Sequence, residues 1–355
     1  MEQTAAIVFT DGMLDTAFAK TCHGLLRGSE RFRVVGVIDA AFAGQDAGEV
    51  MDGQARGIPV FDSVAAFLAS GEPGATHGVV GVATPGGYLS DGLRSTILQA
   101  IDHGLSIVNG LHTFIQDDPI LSKRAAANGV DLMDIRKPRP RHELQFWNGS
   151  IYKVKAVRVA VMGMDCAIGK RTTCRFVMEM CRANGIKTEM IYTGQTGWMQ
   201  GYPYGFIFDS TLNDFISGEL ERAIVDCDRE TNPALILLEG QSALRNPTGP
   251  CGSEFLLSGD AKGVILQHAP GREHYEGTEE IGCFLPDIAT EIELIKMYGA
   301  QVLAVTLNEE HQTEAQMQKH QAALEEKLKL PVIRPLKEGV DRLLPVLRKY
   351  MASFS

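Results

Sequence analysis

Residues 157–173, Val-Arg-Val-Ala-Val-Met-Gly-Met-Asp-Cys-Ala-Ile-Gly-Lys-Arg-Thr-Thr, run from an apolar stretch through a glycine-rich turn to a lysine. The apolar stretch reads as a buried strand. Beyond the lysine, Cys174, Val177, Met178 and Cys181 fall at helical spacing on one stripe, and Gly185 stops the helix. A strand that empties through glycines into a helix N-terminus gathers backbone N–H groups and an ammonium around one anion. The run therefore predicts a phosphate cradle of P-loop type built from Gly163, Asp165, Cys166, Gly169, Lys170, Arg171, Thr172 and Thr173. It departs from the usual pattern twice. Five residues separate Gly163 from Gly169, and Arg171 stands where a Ser or Thr ordinarily ligates Mg²⁺. Two fixed cations suit a static phosphate anchor better than metal-assisted phosphoryl transfer.

A cradle of this kind needs a parallel sheet around it, and the flanking sequence supplies one. Apolar runs at 157–162, 188–192, 234–238, 263–268 and 301–306 alternate with helical segments near 170–184, 211–228, 286–298, 309–328 and 338–350. An earlier series of strand-like runs lies at 5–9, 34–39, 78–83, 106–109 and 130–135. Its clearest unit is strand, Thr84-Pro85-Gly86-Gly87 turn, helix from about Ser90 to His103, and strand again. The proline-rich stretch Arg136-Lys137-Pro138-Arg139-Pro140-Arg141 separates the two series. The expected fold is α/β: a Rossmann-like N-terminal parallel sheet over 1–145, then a P-loop NTPase-like parallel sheet with flanking helices over 146–355.

Composition narrows the setting. A formal charge of −10 disfavours non-specific attraction to nucleic acid or anionic membrane, and no apolar stretch approaches the length of a membrane span. Seven cysteines without CxxC spacing fit neither a disulfide framework nor a zinc ribbon. A soluble, cytoplasmic protein without a required metal is expected. The first strand is not followed by GxGxxG, only by Gly12, so Asp39 at the end of the second strand reads as structural and a nicotinamide enzyme is disfavoured.

Candidate chemistry clusters at strand ends of the second series. Glu239 closes the strand Ala-Leu-Ile-Leu-Leu-Glu-Gly-Gln and could be a metal-linked acid, a general base, an acceptor for a substrate amine or a helix cap. Gln241 and Arg245 follow on a Gly- and Pro-rich loop. His268 ends the next strand with Arg272 and His274 close behind, a plausible base and carboxylate clamp. Gln195, in Thr-Gly-Gln-Thr-Gly, offers a ligand-binding amide, and Asp209 is either catalytic or the N-cap of the following helix.

The full set of motifs resembles a bacterial family first catalogued as a domain of unknown function and since associated with D-glutamate N-acetyltransferase activity. Besides the cradle, the likeness rests on Asp134-Ile-Arg136-Lys137-Pro138, Gly194-Gln195-Thr196-Gly197, Asp214-Phe215-Ile-Ser-Gly218-Glu219, Glu239-Gly240-Gln241 and His268-Ala-Pro270-Gly271-Arg272, and it spans nearly the whole chain. After Glu-Gly-Gln, relatives tend to read Gly-Ser-Leu and a His-Pro pair, whereas this chain reads Ser242-Ala243-Leu244-Arg245-Asn246-Pro247.

The resemblance implies acetyl-CoA as donor and D-glutamate as acceptor. Glu239 or His268 would then take the amine proton, with Asp209 a further candidate, and Arg245 and Arg272 would hold the two carboxylates beside Gln195 and Gln241. A homo-oligomer, dimer or higher, is expected. Two rivals stay open: an ATP- and Mg²⁺-dependent enzyme similar to dethiobiotin synthetase, and a non-catalytic module that senses CoA or nucleotide.

Overall fold

A computed structural model describes residues 3–72 and 74–354. The chain forms two compact units: residues up to Pro138 together with Gln195–Pro203, and Arg139–Gly194 together with Tyr204 onward.

The first unit carries six parallel strands: β1 (Thr4–Phe9), β2 (Phe32–Ile38), β3 (Val60–Phe61), β4 (His77–Val80), β5 (Ser106–Asn109) and β6 (Leu132–Asp134). Their order, β3-β2-β1-β4-β5-β6, is that of dinucleotide-binding sheets. Both faces are apolar because both are covered. Ile7, Phe9, Val80 and Ile107 pack with Leu93, Ile97 and Ile101 of the helix Asp91–Asp102. Ala6, Val8, Val37 and Val79 pack with Cys22, Leu25 and Leu26 of the helix Lys20–Leu26. Each such aliphatic side chain contributes about 1.5–3 kcal/mol on burial.

The second unit carries seven parallel strands: β7 (Val157–Gly163), β8 (Thr188–Tyr192), β9 (Tyr204–Gly205), β10 (Leu235–Glu239), β11 (Gly263–His268), β12 (Gln301–Leu307) and β13 (Val332–Ile333). The order is β13-β12-β11-β7-β10-β8-β9, which sets the cradle strand β7 between the strands that end in Glu239 and His268. Every strand expected from the sequence is present. The three that escape notice, β3, β9 and β13, are two-residue edge strands, too short to show a period.

The two compact units divide between Pro138 and Arg139, within the proline-rich stretch that separates the two series, and the linker beyond it docks on the long helix Asn213–Thr231. Glu219 of that helix is fully buried; it accepts from the amide of Gln145 at 3.0 Å and pairs with Arg139 and Arg222. Glu221 accepts the amides of Asn148 and Ile151. Gly218 lets the linker cross the helix: a Cβ there would stand 1.9 Å from the carbonyl oxygen of Gln145. The Asp-Phe-Ile-Ser-Gly-Glu motif is thus a docking seat for the linker. Among the described residues, no helix is long and apolar enough to cross a membrane.

Candidate functional site

The strand, glycine loop and helix expected around residues 157–184 are present. Strand β7 ends at Gly163 and the helix Lys170–Ala183 begins beyond Gly169, whose φ of 99° is a left-handed value that glycine takes without strain. Lys170 folds back over the loop and its Nζ donates to the backbone oxygen of Asp165 at 2.5 Å. Gly163 makes room for that stem, since a Cβ there would lie 2.9 Å from the lysine Cδ and 3.1 Å from Nζ. An ammonium lying over a helix N-terminus is the charge arrangement that an anion requires.

Asp165 and Thr173 shape the cradle from inside. Asp165 is fully buried; one carboxylate oxygen accepts from the Cys166 amide and Asn246 Nδ2, the other from Arg272 Nη1 at 2.7 Å and the Glu276 amide at 2.8 Å. With both oxygens doubly engaged, it pins the glycine loop to the loops after β10 and β11. Thr173 donates to Gln267 Oε1, which also accepts from Thr306. Both side chains are occupied by the protein itself. Thr172 is half-buried in the first helical turn. Cys166 is half-buried and lies 3.4 Å from Ser242 Oγ. Ser242 has a φ of 31°, in the region that favours glycine, and it occupies the position where the resemblance expects glycine.

Glu239 ends β10, paired in register with Val161 of β7, and is nearly buried. Its Oε1 lies 3.6 Å from Nε of Arg171, and its Oε2 accepts the Thr193 amide at 3.1 Å. Thr193 Oγ1 donates to the Glu239 backbone oxygen and accepts from Gln241 Nε2 at 2.9 Å. Burial raises the Glu239 carboxyl above its ordinary value; Arg171, the Thr193 amide, Lys170 and the Gly194 amide pull the other way. So the cation in the Mg²⁺-ligand position faces the strand-end acid. Neighbouring Cys174 is fully buried, and its thiol is raised well above the ordinary range by burial and then by Glu239.

His268 does not join this group. Successive strand residues point to opposite faces. Gln267 reaches Thr173 on the face covered by the helix Lys170–Ala183, and Glu239 shares that face by register through Val161 and Ile265. His268 follows Val264 and Leu266 to the other face, where the long helix Asn213–Thr231 packs. Its ring lines a pocket of about 400 Å³ with Pro270, Phe284, His320 and Leu324. Burial, then His320, lowers its pKa to about 4, so it is neutral at pH 7.

The remaining expected site residues are engaged elsewhere. Arg245, expected to clamp a carboxylate, donates to Glu291 at 2.6 Å and to Thr290. Arg272 is split between Asp165 and Glu310, and these carboxylates hold its guanidinium charged against the effect of burial. Gln195 belongs to the first unit, where it is buried, accepts from Arg136 at 2.6 Å and donates to Thr21. Asp209 is exposed in a single turn, Phe208–Ser210; the helix expected to open there starts at Asn213 with Leu212 as its N-cap. Thr193, Gln267 and Asn246, none of them singled out from sequence, complete the inner structure. Their only sequence signal is a position just after, or at the end of, an apolar strand or in the loop that follows.

A family model described as the P-loop domain of a domain-of-unknown-function family, DUF1611, matches residues 145–344, and the Rossmann-like N-terminal domain of the same family matches residues 40–138. A protein of Tritonibacter scottomollicae named D-glutamate N-acetyltransferase is 28% identical over 282 residues, 77% of this chain and 81% of that one. One of the same name from a Pseudoalteromonas species is 30% identical over 278 residues, covering 76% and 81%. The crystal structure of a DUF1611 family protein from Anabaena variabilis superposes with a TM-score of 0.87 at 26% identity, covering 98% of this chain and all of that one.

Proposed function

The chain belongs to the two-domain DUF1611 family, and from that premise we propose that it is an N-acetyltransferase that moves the acetyl group of acetyl-CoA to the amino group of D-glutamate. The observation that carries this reading is the cradle at 163–173, with Lys170 over its glycines and Arg171 turned to Glu239. The names of the two curated relatives support the same acceptor and reaction.

Coenzyme A brings phosphates, and the cradle supplies the means to hold them. The N-terminal turn of the helix Lys170–Ala183 and the cations Lys170 and Arg171 neutralise an anion, while Gly163 and Gly169 keep side chains out of its way. The chemical step needs little acid assistance, since the leaving group is a thiol of ordinary pKa ~8.5. It does need a base, because an ammonium cannot attack a thioester. Glu239 takes that proton. The freed amine nitrogen then attacks the thioester carbon, the C–N bond forms, the C–S bond breaks, and the nitrogen's surplus proton balances the departing CoA thiolate, giving the amide and the free thiol. A carboxyl held above its ordinary value is a stronger base than an exposed one, and Arg171 beside it favours the ionised form that accepts a proton.

Arg171 also bears on the ATP-dependent alternative. It sets a guanidinium, not an oxygen ligand, next to Glu239, which favours anchoring a phosphate over organising a metal. Mixing the protein with acetyl-CoA and either D- or L-glutamate, and following thiol release, tests the proposal. Release with D-glutamate is expected, and no release with either isomer would overturn it.

A further inference from the structure

The carboxylate assigned as the base has two oxygens, and the segment after β8 treats them differently. Strand β8 runs beside β10, so Thr193, which follows β8, meets Glu239 at the end of β10. The Thr193 amide donates to Oε2 at 3.1 Å, and the Thr193 hydroxyl donates to the Glu239 backbone oxygen at 2.6 Å. One residue thus holds both the main chain and one carboxylate oxygen of the acid. Thr193 is itself buried, and its backbone oxygen accepts the Phe208 amide at 2.9 Å. A hydroxyl has a single proton, and a carbonyl oxygen only accepts. That proton therefore goes to Glu239, and Gln241 must turn its NH₂ group to the hydroxyl, as its Nε2 does at 2.9 Å. The chain of bonds from Gln241 through Thr193 to Glu239 has one consistent direction.

Oε1 is left in a different situation. Arg171 stands 3.6 Å from it, and Gly194, half-buried, has no side chain to cover it. A Cβ at Gly194 would lie 3.9 Å from Oε1 and 3.2 Å from Gln241 Nε2. The absent methyl leaves space beside Oε1 for an amine, a group of the same size. An ammonium that enters there also approaches Arg171, and a like charge nearby favours loss of its proton.

We propose that Thr193 is a positioning residue of the acyl transfer: by holding Oε2 and the main chain of Glu239, it leaves Oε1, at the opening beside Gly194, as the oxygen that takes the amine proton. In that step an N–H bond of the ammonium breaks, an O–H bond forms on Oε1, and the electron pair stays on nitrogen. The inference rests on the reading of Glu239 as the base and names the atom that acts and the residue that orients it.

Steady-state kinetics of the full chain with acetyl-CoA and D-glutamate across pH, together with calorimetric titration of CoA, tests it. Thr193→Val keeps the branched shape and loses the hydroxyl. Its kcat should fall roughly 3- to 10-fold, the net worth of about one hydrogen bond, with the KM for D-glutamate and the CoA affinity as in wild type. Burial raises the Glu239 carboxyl, while Arg171 and then the Thr193 amide hold it down. Loosening that amide should therefore move the rise of kcat/KM to higher pH. Thr193→Ser, which keeps the hydroxyl, should restore both kcat and the pH profile. Gly194→Ala, which fills the opening, should raise the KM for D-glutamate several-fold and leave CoA binding unchanged, which also shows that the variant is folded. Thr193→Val with wild-type kcat and pH profile overturns the proposal, as does Thr193→Ser that performs no better than Thr193→Val, the mark of a packing role. Should Thr193→Val not fold, an unchanged KM for D-glutamate in Gly194→Ala overturns it as well. Failure of the underlying reading shows separately, in wild type that releases no thiol with D-glutamate.

Discussion

Both sheets place acidic side chains at the C-terminal ends of their strands, and the two sets behave differently. In the first unit, Asp39 accepts from Thr10 Oγ1 and from the amides of Gly12, Leu14 and Ala41. Asp134 accepts from Asn109 Nδ2 and the amides of Ile115 and Gln116. These carboxylates are saturated by neutral donors, most of them from the segment that follows the neighbouring strand, and they pin that segment in place. Glu239 in the second unit is stabilised by the amides of Thr193 and Gly194 and adds to them a guanidinium at 3.6 Å from Oε1, so part of its charge is balanced by a side chain rather than by backbone. A strand-end acid is therefore no sign of chemistry by itself. What distinguishes the two is whether neutral donors alone surround the carboxylate or a cation from the helix that follows the glycine loop stands among them.

That contrast can be broken by substitution. The largest effect is expected at Glu239: Glu239→Gln should lower kcat by about 100-fold or more, the usual contribution of a general base, with the fold intact by circular dichroism. Its raised pKa sets the sign of the pH dependence. The folded state holds the Glu239 proton more tightly than the unfolded chain, so this group's contribution to stability is complete at acid pH and declines as pH rises through the folded-state value. Thermal melts of Glu239→Gln should accordingly gain on wild type with rising pH, while wild-type kcat/KM rises over the same range and levels off. A melt difference that does not vary with pH would mean that Glu239 is not held in this way.

Next comes Lys170→Ala, which removes a charge-assisted contact to phosphate worth about 1.5–3 kcal/mol; CoA should bind roughly 10- to 100-fold more weakly, measured by calorimetry. Asp39→Ala should leave CoA affinity unchanged and instead lower the stability of the first unit by about 1–3 kcal/mol, the cost of buried amides without acceptors, read from denaturant melts. If it weakened CoA binding as much as Lys170→Ala, the contrast between the two sheets would fail. Smallest of all, Cys166→Ala should change kcat by less than about threefold, since the proposed transfer calls on no thiol of the protein and the Cys166 thiol lies 3.4 Å from Ser242 Oγ.

Much of this organisation is written locally in the chain. The two parallel sheets, the strand-turn-helix context of the cradle and the placement of Glu239 and His268 at strand ends all follow from short-range patterns: apolar runs, glycines where φ turns positive, and helical stripes. Such features are decided by neighbours within a few residues, so the sequence by itself determined them. Partners were not legible, because an ion pair joins residues far apart in sequence and any of several acids could answer a given arginine. Only the tertiary structure engages Arg245 with Glu291 and Arg272 with Asp165 and Glu310, and buries Gln195 in the first unit. The two candidate bases show the limit best. Both end strands next to β7, but register and the two-residue alternation of side chains send Glu239 to the face of the cradle helix and His268 to the opposite one. A strand's sequence shows which residues alternate; the sheet it joins decides what each face meets.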